Sequence, residues 1–443
     1  MRNKVIVMVS VMLATLIASM DTTIMNTTMP VIAEGLGRFD LFAWAFTSYM
    51  ITTTILALIS GSLSDIYGRK RVFAFGLIVF LVGSLLCGLA QSMVQLVVFR
   101  AIQGIGAGII MPMPAIIAGD LFPIEKRGKI QAIGSGIWGL SAVIAPLFGA
   151  FFVEYMTWRW IFYINIPISI FALLALIPYK EMYKSTKAPI DYIGALLFAA
   201  GISLLLIVTV VDTYQIVYGL VGAILIVSFY FFEKKHTAPL IPFSIFRNKT
   251  IRWMNINGFL AWVALYGTAS YIPLFLQYIA NNSIFVSGLA LLGSAIGWMI
   301  TAVPTGKWIL RYGYRPLLII GNIVLALSGL LLTILNASNG FWYVFSVMLI
   351  QGLAFGLLST TGILCAQQLV NKDEMGISTS FMLFTRNIGA AIGVTIMGAF
   401  LTRTEDFMSG IHDLFLYGLI ASLVALVTVF MIREPNQHKA QQI

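Results

Sequence analysis

The chain has 443 residues, of which 59% are apolar and 10% are charged, and its mean hydropathy is +0.94. This composition excludes a soluble protein, because a soluble chain of this length exposes far more charge. The net charge of +10 is explained by membrane topology and attraction to anionic lipid rather than by nucleic-acid binding, since the sequence has no basic folded domain to hold a strand.

The apolar segments are continuous over about 20 residues and do not alternate with period 2, so they predict membrane helices rather than a β-barrel. The first segment follows Arg2 and Lys4, as a signal peptide would, but it continues through Asp21 to Pro30 without a convincing cleavage site. We therefore expect a polytopic all-α membrane protein whose first span is a mature helix. In chain order, the fourteen predicted spans are 5–29, 41–63, 72–91, 93–119, 128–152, 160–178, 190–210, 214–232, 255–279, 285–308, 316–335, 340–366, 375–402 and 411–432.

Lysine and arginine are distributed unequally between the two sides of these spans. With the amino terminus inside, only Arg38, Arg159 and Arg403 of the 27 basic residues fall outside, while Arg100 and Arg386 fall within spans. Cytoplasmic loops of membrane proteins carry an excess of basic residues. The distribution therefore predicts a protein of the cytoplasmic membrane with both termini in the cytoplasm.

The chain repeats two glycine-containing motifs at a displacement of about half its length. The matched residues are Gly61 and Gly68 with Gly306 and Gly313, and Gln103-Gly104 with Gln351-Gly352. Such a repeat indicates a duplicated bundle of six helices, with two extra spans between the copies. The predicted domains are an amino-terminal bundle at 1–180, the two extra spans with a cytoplasmic linker at 181–254, and a carboxy-terminal bundle with a short tail at 255–443.

The two copies differ in their ionisable residues. The position that matches Asp65 is Leu310, and the position that matches Arg100 is Met348. Any proton handling is therefore expected in the first half.

Cysteine and histidine give no sign of catalysis. Cys87 and Cys365 lie inside apolar spans, and the three histidines lie in loops or in the tail. The sequence has neither a His-Glu-x-x-His motif nor a phosphate-binding glycine loop. We expect no enzyme activity, no metal and no cofactor.

Several motifs together are typical of one transporter family. They are GSLSDIYGRK at 61–70, Arg100 with Gln103, Gly104 and Gly106 in span 4, and WRWIF at 158–162 with Asn165 and Pro167. With them the chain resembles, over nearly its whole length, the fourteen-span drug:proton antiporters of the major facilitator superfamily. The family's fifth-span motif is altered here, because Ala145-Pro146 replaces Gly-Pro and Gly149-Ala150 replaces Gly-Gly. The resemblance implies the major facilitator superfamily fold, with two pseudo-symmetric six-helix bundles plus two extra central spans, and proton-driven export of drugs.

Asp21 is the first candidate for proton coupling, because it stands alone among apolar residues near the middle of span 1. A carboxylate there costs about 2.5 to 3.5 kcal/mol on insertion scales, so we expect it to face the bundle interior or a wet cavity and to have a partner. Arg100 would stabilise the ionised carboxylate if the two share a cavity. The alternatives are a purely structural carboxylate and a static packing arginine. Glu154, near the outer face, is a further candidate, although a solvated loop position explains it equally.

A cytoplasmic gate is implied by the family resemblance. Asp65 and Asp120 lie at the predicted cytoplasmic ends of spans 2 and 4, with Arg69 and Arg127 nearby. Topology and loop solubility alone explain the basic residues but not Asp65 among them. The predicted gate residues are Gly61, Asp65, Gly68, Arg69, Asp120 and Arg127.

A substrate cavity is expected between spans 1, 2, 4 and 5 and spans 9, 10, 12 and 13. Aromatic faces bind organic cations and methionine adapts to varied shapes, although membrane aromatics also face lipid. The predicted substrate-binding residues are Met25, Asn26, Tyr49, Gln103, Met113, Trp138, Tyr266, Trp298, Phe381 and Phe384.

The predicted function is proton-coupled export of amphiphilic cationic or zwitterionic compounds by alternating access. The expected partners are small drugs or dyes, protons and membrane lipid, with no nucleic acid, and the expected state is a monomer. A proton-coupled or facilitative transporter of one small metabolite is the alternative. It is disfavoured because the cavity spans contain few Asn, Gln and charged residues. A membrane sensor or lipid-handling enzyme would carry a soluble domain or a catalytic cluster, and the sequence shows neither.

Overall fold

The computed structural model describes residues 2–122, 124–181, 191–208, 213–236, 239, 248–336, 339–369, 375–403 and 407–432. Every regular element within these ranges is helical, which confirms the all-α prediction. The α-helices are α1 (Arg2–Leu36), α2 (Phe42–Tyr67), α3 (Arg69–Leu89), α4 (Met93–Ile110), α5 (Met113–Leu121), α6 (Ile124–Tyr155), α7 (Trp160–Tyr163), α8 (Asn165–Leu176), α9 (Tyr192–Ile207), α10 (Gln215–Lys235), α11 (Lys249–Tyr278), α12 (Ile284–Tyr312), α13 (Tyr314–Thr333), α14 (Phe341–Gln368), α15 (Met375–Arg403) and α16 (Phe407–Val429). A short 3-10 helix, Phe39–Leu41, precedes α2.

Eleven of the described helices are long and apolar enough to cross a membrane. The apolar stretches Trp160–Leu176 and Tyr192–Ile207 are shorter than these, and α2 covers the predicted second span but is not among the eleven. The structure therefore does not confirm fourteen spans. The cytoplasmic position of both termini stays a prediction.

The chain divides into two compact units, Met1–Leu240 and Ile241–Ile443. The boundary falls within the segment expected to link the two bundles, and α9 and α10 belong to the first unit. The proposed domain limits themselves stay predictions.

In the first unit, α4 packs against both α2 and α3, and α1 packs against α6 and α8. Glycines permit the close approach of α4. A Cβ added to Gly106 would lie 2.6 Å from Cα of Phe80 on α3, and one added to Gly104 would lie 2.6 Å from the carbonyl oxygen of Tyr49 on α2. Small residues at such contacts let helix backbones meet directly. The glycines of the fourth-span motif therefore fix the position of the helix that carries Arg100.

In the second unit, α12 packs against α14, while α11 packs against α15 and α16. Gly352 of α14 faces the backbone of Ser294 on α12, as its match Gly104 faces α2.

The glycines Gly68 and Gly313, which the sequence repeat matches, both connect two helices with a positive φ. Their φ values are 93° and 80°. A residue with a Cβ is strained in this region, whereas glycine adopts it freely. The repeated glycines at these two turns are thus explained by the backbone conformation that both turns require.

Candidate functional site

Asp21 of α1 and Arg100 of α4 form a buried ion pair in the first unit. Nη1 of Arg100 donates to Oδ2 of Asp21 at 2.5 Å, and Nε donates to the carbonyl oxygen of Ala45 at 3.2 Å. The exposed fractions of the two side chains are 1% for Arg100 and 0% for Asp21. The structure therefore brings together the two residues that the sequence suggested as proton-coupling partners.

Three polar side chains complete the surroundings of Asp21. Gln103 accepts from Nη1 of Arg100 at 2.6 Å and donates through Nε2 to Oδ1 of Asp21 and to Oγ of Ser84, both at 2.8 Å. Nδ2 of Asn165 lies 3.4 Å from Oδ1 of Asp21 and 3.3 Å from Oγ of Ser84. Both carboxylate oxygens thus have donors, and the network joins α1, α3, α4 and α8.

The ring of Tyr49 lies beside the guanidinium of Arg100. Cζ of Arg100 is 4.0 Å from the ring centroid, which is within the range of a cation–π interaction. Tyr49 and Gln103, both predicted to bind substrate, are thus held against Arg100 by contacts within the protein. Sequence reasoning did not single out Ser84, and it cited Asn165 only as part of a motif.

Glu154 does not belong to this network. It is exposed near the end of α6, and the hydrogen bonds of Asp21 and Arg100 do not include it. Its proposed part in proton coupling stays a prediction to which the geometry adds no support.

An acidic residue that the gate prediction missed contacts the start of α3, just after the turn that joins α2 to α3. Oε1 of Glu181, which follows α8, accepts from the backbone N–H of Lys70 at 2.8 Å. Nζ of Lys70 donates to the carbonyl oxygen of Ile177 at 2.6 Å. A carboxylate at a helix amino terminus is favourable, because it bonds the free N–H groups and opposes the helix dipole. The sequence signal that could have found Glu181 is an acidic residue just beyond span 6, on the same predicted side as the basic turn after span 2.

The predicted gate residues are described only in part. A Cβ at Gly61 would meet open space, whereas Gly68 has the carboxylate of Glu181 beside it. Nη1 of Arg69 donates to the carbonyl oxygen of Ile116 at 3.3 Å. The structure does not describe the side chains of Asp65, Asp120 and Arg127, so the charge network of the gate stays a prediction.

Four further predicted substrate-binding residues lie in the first unit. Met25 and Met113 are fully buried, and Met113 belongs to the hydrophobic core of the unit. Asn26 and Trp138 are half-buried. None of the four contacts the polar network through a hydrogen bond of the described side chains.

In the second unit, Tyr266 and Trp298 pack around a common ring, Phe355. Their ring centroids lie 6.3 and 5.6 Å from that of Phe355, and the Trp262 centroid lies 5.3 Å from it. We call these four residues the aromatic cluster. Two of its members were predicted, while Phe355 and Trp262 were missed because an apolar aromatic residue in a span carries no distinguishing sequence signal.

Phe381 and Phe384 stack on each other at 6.1 Å, and Phe381 also borders a cavity between α11 and α15. The cavity has a volume of about 380 Å³. It is lined by Asn255, Ile256, Phe259, Leu260, Phe381 and Thr385. A mostly apolar lining with a few polar groups is usual for small-molecule sites of this size.

The second unit contains an uncharged counterpart of the first network. Nε2 of Gln351 donates to Oγ1 of Thr268 at 2.7 Å, and both side chains are buried. Gln351 matches Gln103 in the repeat, and Met348 stands where Arg100 stands in the first copy. The amide is kept, while methionine stands where the first copy has the arginine of the ion pair.

Among the side chains that the structure describes, no group of His, Cys, Asp or Glu is arranged to hold a metal ion. The absence of a cofactor stays a prediction.

Comparisons with known proteins agree with this architecture. The family model described as "Major Facilitator Superfamily" matches residues 11–394 and 283–442. The chain is 35% identical to the multidrug transporter protein MdtP of Bacillus subtilis over 90% of this chain and 75% of that protein. It is 36% identical to the multidrug resistance protein 3 of the same organism, over 92% of this chain and 81% of the relative. The multidrug efflux pump SdrM of Staphylococcus aureus is 29% identical, and the match covers 99% of both chains.

Solved structures show the same fold at low sequence identity. A point mutant of the nucleoside transporter NupG superimposes with a TM-score of 0.72 at 14% identity, covering 97% of this chain and all of that one. A D-xylose-proton symporter superimposes with a TM-score of 0.71, also at 14% identity, covering 99% of each chain. At this identity the likeness concerns the fold alone.

Proposed function

The chain belongs to the Major Facilitator Superfamily and is a multi-pass drug-efflux transporter of the cell membrane; from this premise we propose that it is a proton-coupled antiporter. It exchanges protons for amphiphilic cationic or zwitterionic compounds by alternating access. The single observation that carries the proposal is the buried pair of Asp21 and Arg100.

Protonation of Asp21 changes the energy of this pair strongly. The neutral acid no longer compensates the guanidinium of Arg100, whose other contacts are a carbonyl oxygen, an amide oxygen and the Tyr49 ring. Removing one partner of a buried pair typically costs about 3 to 5 kcal/mol. A shift of about 5.5 kcal/mol moves a conformational equilibrium from 1:99 to 99:1. One proton on Asp21 thus supplies a large part of the energy needed to change the preferred conformation.

The burial of Asp21 sets the order of events. Its side chain has no exposed surface in this conformation, so protons exchange with water only in a conformation that opens the network. In the proposed cycle, a proton from outside neutralises Asp21 and drug is released outward. Loss of the proton to the cytoplasm restores the anion, which attracts the next cationic compound.

The aromatic cluster and the cavity between α11 and α15 support an amphiphilic substrate. Ring faces attract organic cations, and the cavity exposes apolar surface. A transporter of one hydrophilic metabolite requires several directed hydrogen-bonding side chains, and this cavity does not provide them. The relatives named as multidrug transporters support the same substrate class.

Transport by purified protein in vesicles tests the proposal. With a pH gradient imposed, wild-type protein should accumulate ethidium against its concentration gradient, and addition of ethidium should collapse the pH gradient. Asp21→Asn should abolish both signals. Asp40→Asn is the matched control, because Asp40 pairs with Arg38 at the surface and not in the bundle interior. Undiminished gradient-driven transport by Asp21→Asn would overturn the assigned role.

A further inference from the structure

Arg386 of α15 is, with Arg100, one of two buried arginines among the residues that the structure describes, and it lies in the second unit. Nη1 donates to the carbonyl oxygen of Ser359 at 3.3 Å, and Nη2 donates to that of Leu358 at 3.0 Å. Its Cζ atom lies 4.2 Å from the centroid of the Trp262 ring. Only 3% of the residue is exposed. Arg386 is thus a fixed cation inside the bundle and does not extend to the membrane surface.

Arg386 differs from Arg100 in that no carboxylate contacts it among the described side chains. Both arginines have backbone carbonyl oxygens and an aromatic ring as partners, but Arg100 also has Asp21. Among the described residues no carboxylate pairs with Arg386, and its Nε atom has no acceptor. A guanidinium offers five N–H groups, and only two of them have acceptors here. A buried charge without a counter-charge is expensive, so the protein maintains this cation at a cost.

The surroundings are shaped to hold the guanidinium. A Cβ added to Gly258 of α11 would lie 3.4 Å from Nε of Arg386, and one added to Gly362 of α14 would collide with Nη2. Glycines on two neighbouring helices therefore make room for the charged group. Because three helices hold Arg386, its remaining N–H groups are pre-organised for a ligand.

The groups next to Arg386 suit an aromatic ligand. Trp262, which stacks on the guanidinium, is also a member of the aromatic cluster. The cavity of about 380 Å³ lies between α11 and α15, and Thr385, which lines it, directly precedes Arg386 in sequence. Oδ1 of Asn255, another lining residue, has no hydrogen-bond partner.

We propose that Arg386 binds the carboxylate of an aromatic, zwitterionic substrate while the aromatic cluster contacts its ring system. The inference rests on the proposed function and names its substrate class. A carboxylate matches the planar fork of a guanidinium in two parallel hydrogen bonds, and it supplies the charge that the second unit lacks. Arg386 is covered in this conformation, so the carboxylate binds it in a more open one, as protons reach Asp21.

Binding of ciprofloxacin, an aromatic zwitterion, and of its methyl ester to purified protein in lipid nanodiscs tests this inference. Wild-type protein should bind the acid more tightly than the ester. Arg386→Gln should weaken binding of the acid by about tenfold or more and leave binding of the ester unchanged, because the ester has no carboxylate to lose. Arg386→Lys keeps the charge but not the planar fork, so its affinity for the acid should lie between those of the wild type and Arg386→Gln.

Arg159→Gln is the matched control. Cζ of Arg159 lies 4.4 Å from the Trp158 ring, and Nη2 donates to the carbonyl oxygen of Ala90 at 3.0 Å, so its contacts resemble those of Arg386. Its removal should leave the binding of both compounds unchanged. Thermal unfolding of each variant shows whether it is folded. If Arg386→Gln is not folded, Arg386→Lys still tests the inference.

Three outcomes would overturn the inference: equal weakening for acid and ester, no weakening for either, or no binding of ciprofloxacin by the wild type. Competition by phosphatidylglycerol is a fourth such outcome. If this lipid displaces ciprofloxacin from the wild type, and stabilises the wild type but not Arg386→Gln, then the anion that binds Arg386 is a lipid phosphate. Ethidium transport is measured in parallel. If the wild type exports ethidium but fails the binding test, only the role of Arg386 is refuted. If the wild type does not export ethidium in response to a pH gradient, the antiporter proposal itself is refuted.

Discussion

Replacing Arg100 by methionine removes the only cation that contacts Asp21 among the described side chains. Methionine is the residue that the second unit has at the matched position, Met348, so the fold already accommodates it there. In Arg100→Met, the carboxylate keeps Gln103 as its close donor at 2.8 Å and Asn165 as a weak one at 3.4 Å. The Asp21 side chain thus loses its buried counter-charge.

The expected loss of stability is about 3 to 5 kcal/mol, the usual cost of leaving one member of a buried pair uncompensated. The double variant Asp21→Thr with Arg100→Met removes both charges and copies the neutral arrangement of Gln351 and Thr268. Replacing both partners by neutral residues is often nearly neutral, so the double variant should unfold within about 1 kcal/mol of the wild type. Asp21→Thr alone leaves the Arg100 guanidinium uncompensated at a similar cost, so the two substitutions should be coupled by about 5 kcal/mol or more.

SDS-induced unfolding of the purified protein, followed by tryptophan fluorescence, measures the four members of this cycle. Neither Arg100→Met nor the double variant should transport ethidium in response to a pH gradient, although the double variant is stable. The reasoning is refuted if Arg100→Met unfolds within about 1 kcal/mol of the wild type. It is equally refuted if the double variant is as unstable as Arg100→Met.

Three further predictions concern the surroundings of the site. Gly106→Ala should cost about 1 to 3 kcal/mol and reduce transport, because its Cβ would press on the backbone of α3. Gly136→Ala on α6 is the matched control, because its Cβ would meet open space, and it should change thermal unfolding and transport little. Glu181→Gln should lower stability by about 0.3 to 1 kcal/mol and speed hydrogen exchange at the start of α3, because the charged acceptor of the Lys70 N–H is lost; unchanged exchange there would contradict the assignment. The hydrogen bond from Arg38 lowers the pKa of Asp40, so this pair stays ionised from pH 5 to 8 and any stabilisation is lost only as the pH falls below the ordinary range of aspartate, about 3.9. Asp40→Asn should accordingly leave the pH profile of transport between pH 5 and 8 unchanged, and a shifted profile would show that the surface pair takes part in coupling.

The sequence predicted those parts of the structure whose physical cost is large. A lone carboxylate in a span must have a partner, and Asp21 has one in Arg100, 79 positions along the chain. Gly68 and Gly313 could be matched from the repeat because both turns require a positive φ. In each case a strong penalty restricts the residue type, and the restriction is visible in the sequence.

The neutral parts of the site could not be predicted in the same way. Ser84 and Asn165 contact Asp21 or its partners through packing of α3 and α8 against α1 and α4, and serine or asparagine in a span is common without any such contact. Phe355 and Trp262 gave no signal, because aromatic residues occur throughout membrane helices. The count of fourteen spans stays a prediction beside the eleven described, because hydropathy does not show where helix breaks shorten an apolar stretch such as Trp160–Leu176.

The hydrogen bond between Gln351 and Thr268 shows that this scaffold closes tightly without any charge at the corresponding place. The duplicated bundle can therefore fold without an ion pair at this position, which leaves one copy free to couple protons and the other free to bind substrate. An acid at Thr268 and an arginine at Met348 would copy the pair of Asp21 and Arg100 into the second unit. Such a variant would show whether two coupling sites carry twice as many protons per transport cycle.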